Sequence, residues 1–391
     1  MTSIIEDSDV RTNMSMYNDS FRLEDVSDIS FSQDYESYTT MISVERFTIP
    51  FVCVFGLVGN TMSTIVFLQR KLRKAPCSFY LACRGISDNG FLFSLLMTWM
   101  SSTFDMRLSQ VKGVCQTIVF MTYVCGCVSV WLCVFITFEN FMLIHSPFVA
   151  RRLCSKKFTI ACTTVLLVAT IGVYNTSLWI TNGDCSHNPS FSEITQVLVY
   201  ADTLLTLIIP TVIIFILLTM IMCKVIKIVH IRRLHANLIE KLASQSRSAK
   251  TIIPMAKVTN MLLVVSLMFV VLNVPIHGVK IRLLIGRFTQ GMDTTTFVQA
   301  TLQTAFQLLY YFSFSINIIV YTLFGSNFRR TFIRTFCFKR ASRIPQFTTE
   351  AVNQVTKRRH SITLGKLDAC ATKPFLMVPE DIQRCCHSDV M

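Results

Sequence analysis

The sequence predicts an all-α membrane protein, a seven-transmembrane helix bundle with a short amphipathic eighth helix. Between Phe47 and Asn327 it holds seven apolar stretches, each as long as the roughly 20 mostly apolar residues that span the hydrocarbon core. Every second connecting segment is rich in Lys and Arg, and a short segment after the last stretch repeats Phe at helical spacing among arginines. The composition agrees: 391 residues, 52% hydrophobic and 15% charged, with a net charge of +14 held largely by those basic segments and the C-terminal region. Such charge is topological, because cytoplasmic loops retain Lys and Arg. It points to a lipid bilayer as partner and away from nucleic acid.

Residues 1–46 read as a polar, acidic, disordered extracellular tail, in which Glu6, Asp7, Asp9, Asp19, Glu24, Asp25, Asp28, Asp34, Glu36 and Glu45 face only Arg11, Arg22 and Arg46. Asn13 and Asn18 each open a glycosylation sequon there. No signal-peptide pattern is visible, so the first span is expected to act as the insertion signal. The bundle then occupies residues 47–325. Its spans are read as 47–69, 75–102, 113–143, 158–180, 194–223, 258–279 and 294–324. Five hold no charged residue over a membrane-spanning length; Arg84 and Asp88 lie inside the second and Asp202 inside the fifth.

Arg70, Lys71, Arg73 and Lys74 follow span one, Arg151, Arg152, Lys156 and Lys157 follow span three, and Lys224, Lys227, Arg232, Arg233, Lys241, Arg247 and Lys250 follow span five. These segments fall on one side of the membrane with Arg329, Arg330, Arg334, Lys339 and Arg340. The expected topology is multi-pass in the plasma membrane, N-terminus outside and C-terminus in the cytoplasm.

Residues 326–340 place Phe328, Phe332 and Phe336 on one helical face, as a helix lying on the inner membrane surface does. Cys337 there is either a palmitoylation site or a plain surface cysteine. Residues 341–391 read as a disordered cytoplasmic tail. Of the fifteen cysteines most sit in spans as small packing residues; Cys115, at the outer start of span three, and Cys185, in the following outer loop, can meet in an oxidising compartment. No phosphate-cradling glycine loop, zinc spacing or nucleophile elbow is present. The chain is therefore read as no enzyme, with no cofactor and no metal.

Specific residues stand in a fixed order along these spans: Asn60 after Gly59, Asp88 after Ile86 and Ser87, Cys115, Pro210, Phe269 before Pro275, and Asn317 four residues before Tyr321. In that set the chain resembles the rhodopsin-like (class A) G-protein-coupled receptors, from Phe47 to Phe338. The resemblance implies a disulfide between Cys115 and Cys185. It also implies an ion and switch site: Asn60 and Asp88, with Ser129, Ser313 and Asn317 corresponding to the family's sodium pocket, and Phe269, Pro275 and Tyr321 beside them. Pro275 suits a hinge in span six.

Several positions depart from the family. Glu139 and Asn140 stand where it has Asp-Arg, so the Arg that contacts the G protein is missing. Asn273 replaces the usual Trp two residues before Pro275, and Ile318 replaces the span-seven Pro. Arg84 replaces an apolar residue one turn before Asp88; it either pairs with that carboxylate or extends to the inner headgroups.

The resemblance also narrows the ligand. Thr122 occupies the place of the Asp that amine receptors use, and Tyr311 the place of the lysine with which opsins hold retinal. What remains is a peptide or a small non-amine ligand; polar residues on the outer halves of the later spans support a peptide, of a basic kind given the acidic tail. Its expected contacts are Trp99, Thr122, Tyr123, Asp202, His277, Lys280, Gln303 and Gln307. Asp202 either faces a wet cavity or pairs with a neighbour; Lys280 is a contact or snorkels, and His277 a contact or a packing residue. The reading is a divergent neuropeptide-type receptor that signals to a heterotrimeric G protein, with arrestin and kinases at its tail. Two alternatives remain: a non-coupling decoy of the same fold, favoured by Asn140, and a seven-span transporter or channel.

Overall fold

The computed structural model describes residues 27–73, 75–104, 111, 113–181, 191–242, 253–290 and 297–337. Asn13, Asn18, Cys185 and the segment from 338 onward lie outside these residues, as do the side chains of Lys280 and Cys337. The chain divides into Met1–Thr335 and Phe336–Met391, and the description below concerns the first unit.

The first helix runs Ser27–Phe67, and this corrects the expected disorder of residues 27–46. At 1.5 Å per residue it is about 62 Å long, roughly twice the hydrocarbon thickness, so its first half extends beyond a bilayer. The acidic composition conceals the helix, yet the segment contains no Gly or Pro before Pro50. Tertiary contacts hold it: Tyr35 and Tyr38 pack on Phe297 at the start of span seven, with centroids 5.7 and 6.1 Å apart. The Trp99 indole N–H donates to the Arg46 carbonyl at 2.7 Å.

Span two is Pro76–Thr103, with Pro76 in the first turn, where a missing N–H costs nothing. Gly113, at φ 87°, turns the chain into span three, Val114–His145. The short helix Pro147–Leu153 leads to span four, Lys156–Tyr174, whose first turn is capped by Ser155 accepting from the Phe158 N–H at 3.3 Å. A further turn, Ser177–Ile180, completes it.

Span five is Ser192–Asp202 and Ile209–Leu242 joined by a π-helical segment, Thr203–Ile208. The cause is Pro210. It has no N–H to give, and the Ile209 N–H instead reaches back to the Leu204 carbonyl. Span six, Ile253–Gln290, stays one helix through Pro275. Span seven is Phe297–Ser315 and Asn317–Phe324, bent by 53° at Ile316, and Ser326–Phe332 follows.

By length and composition five of the described helices can cross a membrane, or six with the bent pair counted as one. The seventh is Pro76–Thr103, made less apolar by Arg84, Asp88 and its serines, and packed between spans one and three. The bend in span seven needs no proline. Ser313 and Ser315 donate to carbonyls three residues back, and Asn60 of span one donates to the Phe314 carbonyl at 2.8 Å.

Spans one and seven approach closely at this level; a Cβ on Gly59 would lie 2.8 Å from Ile318 Cγ2. The eighth helix is pinned through Phe328, which is buried between Phe67 and Tyr321 at centroid distances of 5.1 and 5.5 Å.

Candidate functional site

Five spans contribute to a polar seam inside the bundle. Asp88 is wholly buried and accepts hydrogen bonds from the Ser129 hydroxyl and from Asn317 Nδ2, the latter at 2.7 Å. Arg84, one turn away on the same helix, brings Nε to 3.8 Å from Asp88 Oδ2. At 3% exposure its guanidinium lies within the protein and does not extend to headgroups. Asn60 holds the Phe314 carbonyl, and the Ser313 hydroxyl lies 3.4 Å from Asn273 Oδ1 while Asn273 Nδ2 donates to the Phe269 carbonyl at 2.6 Å. Of the expected switch residues, Arg84, Asp88, Ser129 and Asn317 are brought together, Asn273 meets Ser313 and the Phe269 carbonyl, and Glu139 and Asn140 lie ten and eleven residues beyond Ser129 along span three. A sodium ion does not fit among them, because the Arg84 guanidinium beside Asp88 already supplies the positive charge.

A second cluster joins spans three, four and five. The Tyr174 hydroxyl donates to Asp202 Oδ1 at 2.6 Å, and its ring stacks on Tyr123 with centroids 5.3 Å apart. The carboxylate is therefore held by the Tyr174 phenol, whose ring is backed by Tyr123, and an incoming cation gains from the charge and from aromatic rings beside it. Next to it an apolar cavity of about 480 Å³ lies between spans three, four and five, with Tyr174, Trp131 and Leu205 in its wall.

Other expected contacts are engaged internally. The Trp99 N–H is spent on Arg46, and the Thr122 hydroxyl donates to Ile118 of its own helix at 2.8 Å. His277 and Gln307 are buried, and Gln303 is partly so. Cys115 is buried and disulfide-bonded.

At the other end of span three, Glu139 turns to the first turn of span two, where the Cys77 N–H faces its carboxylate and the helix dipole favours a negative charge. Asn140 is wholly buried, and neither amide atom has a hydrogen-bond partner among the described residues. One turn before it, Thr137 Oγ1 lies 2.7 Å from Ser266 Oγ of span six.

This helix order and seam coincide with a sequence match: the family described as 7 transmembrane receptor (rhodopsin family) matches residues 59–321. The chain belongs to that family. A rhodopsin-family receptor is no enzyme, and the seam and the two ends of span three lie within the matched residues. Curated relatives include the rhodopsins of Orconectes australis, 27% identical over 117 residues, and Procambarus orcinus, 26% identical over 120 residues. A third is the rhodopsin of Procambarus clarkii, 25% identical over 119 residues. The matched part is 30%, 31% and 30% of this receptor and 39%, 40% and 32% of those proteins. The receptor thus spans well under half the length of these relatives.

Tyr174, Thr137 and Ser266 were not expected at the site. A Tyr near the end of an apolar span was a visible signal for the first; the other two are small hydroxyls without any motif.

Proposed function

We propose that this receptor binds a basic extracellular peptide of the neuropeptide kind at the plasma membrane, with its N-terminus outside, and signals to a heterotrimeric G protein. The observation that carries the reading is Asp202 held by the Tyr174 hydroxyl, with the Tyr174 ring stacked on Tyr123. A carboxylate inside a span is costly unless it serves a cavity or a partner. This one is held by a phenol at one oxygen, with the stacked rings of Tyr174 and Tyr123 beside it, so an incoming Lys or Arg side chain meets both attractions together. The acidic segment before span one, including Asp34 and Glu36, steers such a peptide inward.

The relatives' name implies retinal, yet Tyr311 offers no amine for a Schiff base. Arrestin and kinases are the further partners that a receptor of this kind meets at its C-terminal segment. The decoy reading keeps one specific support, since Asn140 provides no guanidinium at the inner end of span three.

The deciding experiment is a screen of amidated peptides on cells expressing the receptor, reading nucleotide exchange on co-expressed G proteins together with internalisation. A basic peptide that drives both supports the reading. Internalisation without nucleotide exchange establishes the decoy instead, and agonists without positive charge overturn the ligand class.

A further inference from the structure

Thr137 Oγ1 and Ser266 Oγ, 2.7 Å apart and both wholly buried, join span three to span six. Each hydroxyl also reaches a carbonyl of its own helix: Thr137 the Cys133 carbonyl at 2.7 Å, Ser266 the Leu262 carbonyl at 3.1 Å. A hydroxyl has one proton. One of the pair therefore donates across the gap while the other donates back into its own helix. When the spans part, both protons have a carbonyl within reach, so separation strands neither hydroxyl.

Asn140, three residues on and near the same helical face, has the opposite balance. In the closed arrangement its donor and acceptor are buried without partners among the described residues. A buried amide without partners is costly, and opening this end to water or to a bound protein satisfies it. Among the described residues no ion pair joins spans three and six. Parting them there uncovers no unpaired charge, the penalty that makes a buried ion pair hard to break.

We propose that Thr137 and Ser266 form a neutral latch between spans three and six, and that the unpaired amide of Asn140 biases the adjacent end of the bundle toward opening. The closed arrangement is then held weakly, by a hydrogen bond that is exchanged on opening and not lost. Span six separates without breaking any electrostatic lock, and the open form is populated without ligand. This device belongs to the bundle itself and goes beyond both the peptide and the G-protein reading.

The test is hydrogen–deuterium exchange on the full-length receptor in lipid nanodiscs, read at the amides of residues 261–272. Ser266→Ala and Thr137→Val should each exchange about fivefold faster there. Thr137→Ser, which keeps the hydroxyl, should match the parent. Asn140→Leu should slow exchange by removing the orphan amide. Thr322→Val is the control, because its hydroxyl bonds the Ile318 carbonyl of its own helix at 2.7 Å. Unchanged exchange in both latch variants overturns the proposal, as does Thr137→Ser exchanging as fast as Thr137→Val, which would trace the effect to packing. Should Thr137→Val fail to fold, Ser266→Ala and the swapped pair Thr137→Ser with Ser266→Thr decide, the swap being expected to keep the parent rate. Basal nucleotide exchange on co-expressed G protein is measured alongside. Faster amide exchange with no nucleotide exchange retains the latch and removes the coupling reading.

Discussion

Arg84 Nε stands 3.8 Å from Asp88 Oδ2, one helical turn apart on span two and both buried. The pair is incomplete on one side: Arg84 Nε and Nη1 have no hydrogen-bond partner among the described residues, while Asp88 is held by Ser129 and Asn317 as well. The two halves should therefore respond differently to removal. Asp88→Asn strands a buried guanidinium and should cost about 3–5 kcal/mol of stability. Arg84→Leu leaves the carboxylate two donors and should cost clearly less. The Arg84→Leu receptor should also gain a dependence of agonist affinity on sodium that the parent lacks, since an ion can then take the place of the guanidinium. Thermal unfolding and radioligand binding in sodium or N-methylglucamine buffers check both outcomes; equal sodium response in parent and variant would remove the idea of substitution.

Asp202 is expected to recognise positive charge with Tyr174 holding it in place. Asp202→Asn should weaken a basic agonist by about 100-fold, and Tyr174→Phe by about tenfold, because a hydrogen bond to a charged group is worth about 1.5–3 kcal/mol. Association should slow as ionic strength rises in the parent and in Tyr174→Phe. Competition binding and stopped-flow association measure these; an Asp202→Asn receptor with unchanged affinity contradicts the assignment.

Much of the bundle could be read from the sequence, because a span is a property of consecutive residues. The seven stretches and the i, i+4 relation of Arg84 to Asp88 are local. Asn60, Asn317 and Ser129 became legible only as an ordered set. What stayed hidden depends on partners far apart in the chain. The donation from Trp99 to Arg46 bridges 53 positions and that between Thr137 and Ser266 bridges 129. No periodicity encodes either pair. The helix over residues 27–46 was missed for a related reason: its acidic composition argues for disorder, and its order comes from Phe297 and Trp99. The break in span seven persists although its proline is absent, because serines and Asn60 compete for the backbone carbonyls.

Trp99 is predicted to be the anchor of that N-terminal extension. Trp99→Phe keeps an aromatic ring beside Phe104 but loses the donation to Arg46. The loss should be about 1 kcal/mol, so amides of residues 35–46 should exchange about fivefold faster, with little change within span two. Peptide-resolved exchange measures this. Equal protection in the two proteins would show that Tyr35 and Tyr38 on Phe297 hold the extension without help.

The close approach of spans one and seven gives a prediction with its own control. A Cβ at position 59 would fall 2.8 Å from Ile318 Cγ2 and 3.3 Å from Ile318 Cβ. Ile318 is β-branched and stiff, and it cannot turn its Cγ2 away without changing rotamer. Gly59→Ala should therefore push the spans apart, costing about 1–3 kcal/mol as overpacking does. It should also disturb the nearby donation from Asn60 to Phe314. Ile318→Ala removes the obstructing methyl and leaves a gap that the new Cβ partly fills. The double variant should then be more stable than the sum of the single losses, by about 1 kcal/mol in a double-mutant cycle. Thermal unfolding of the four receptors in detergent measures the coupling. Additive losses would mean that the backbones move apart freely, and that Gly59 serves some purpose other than contact with Ile318.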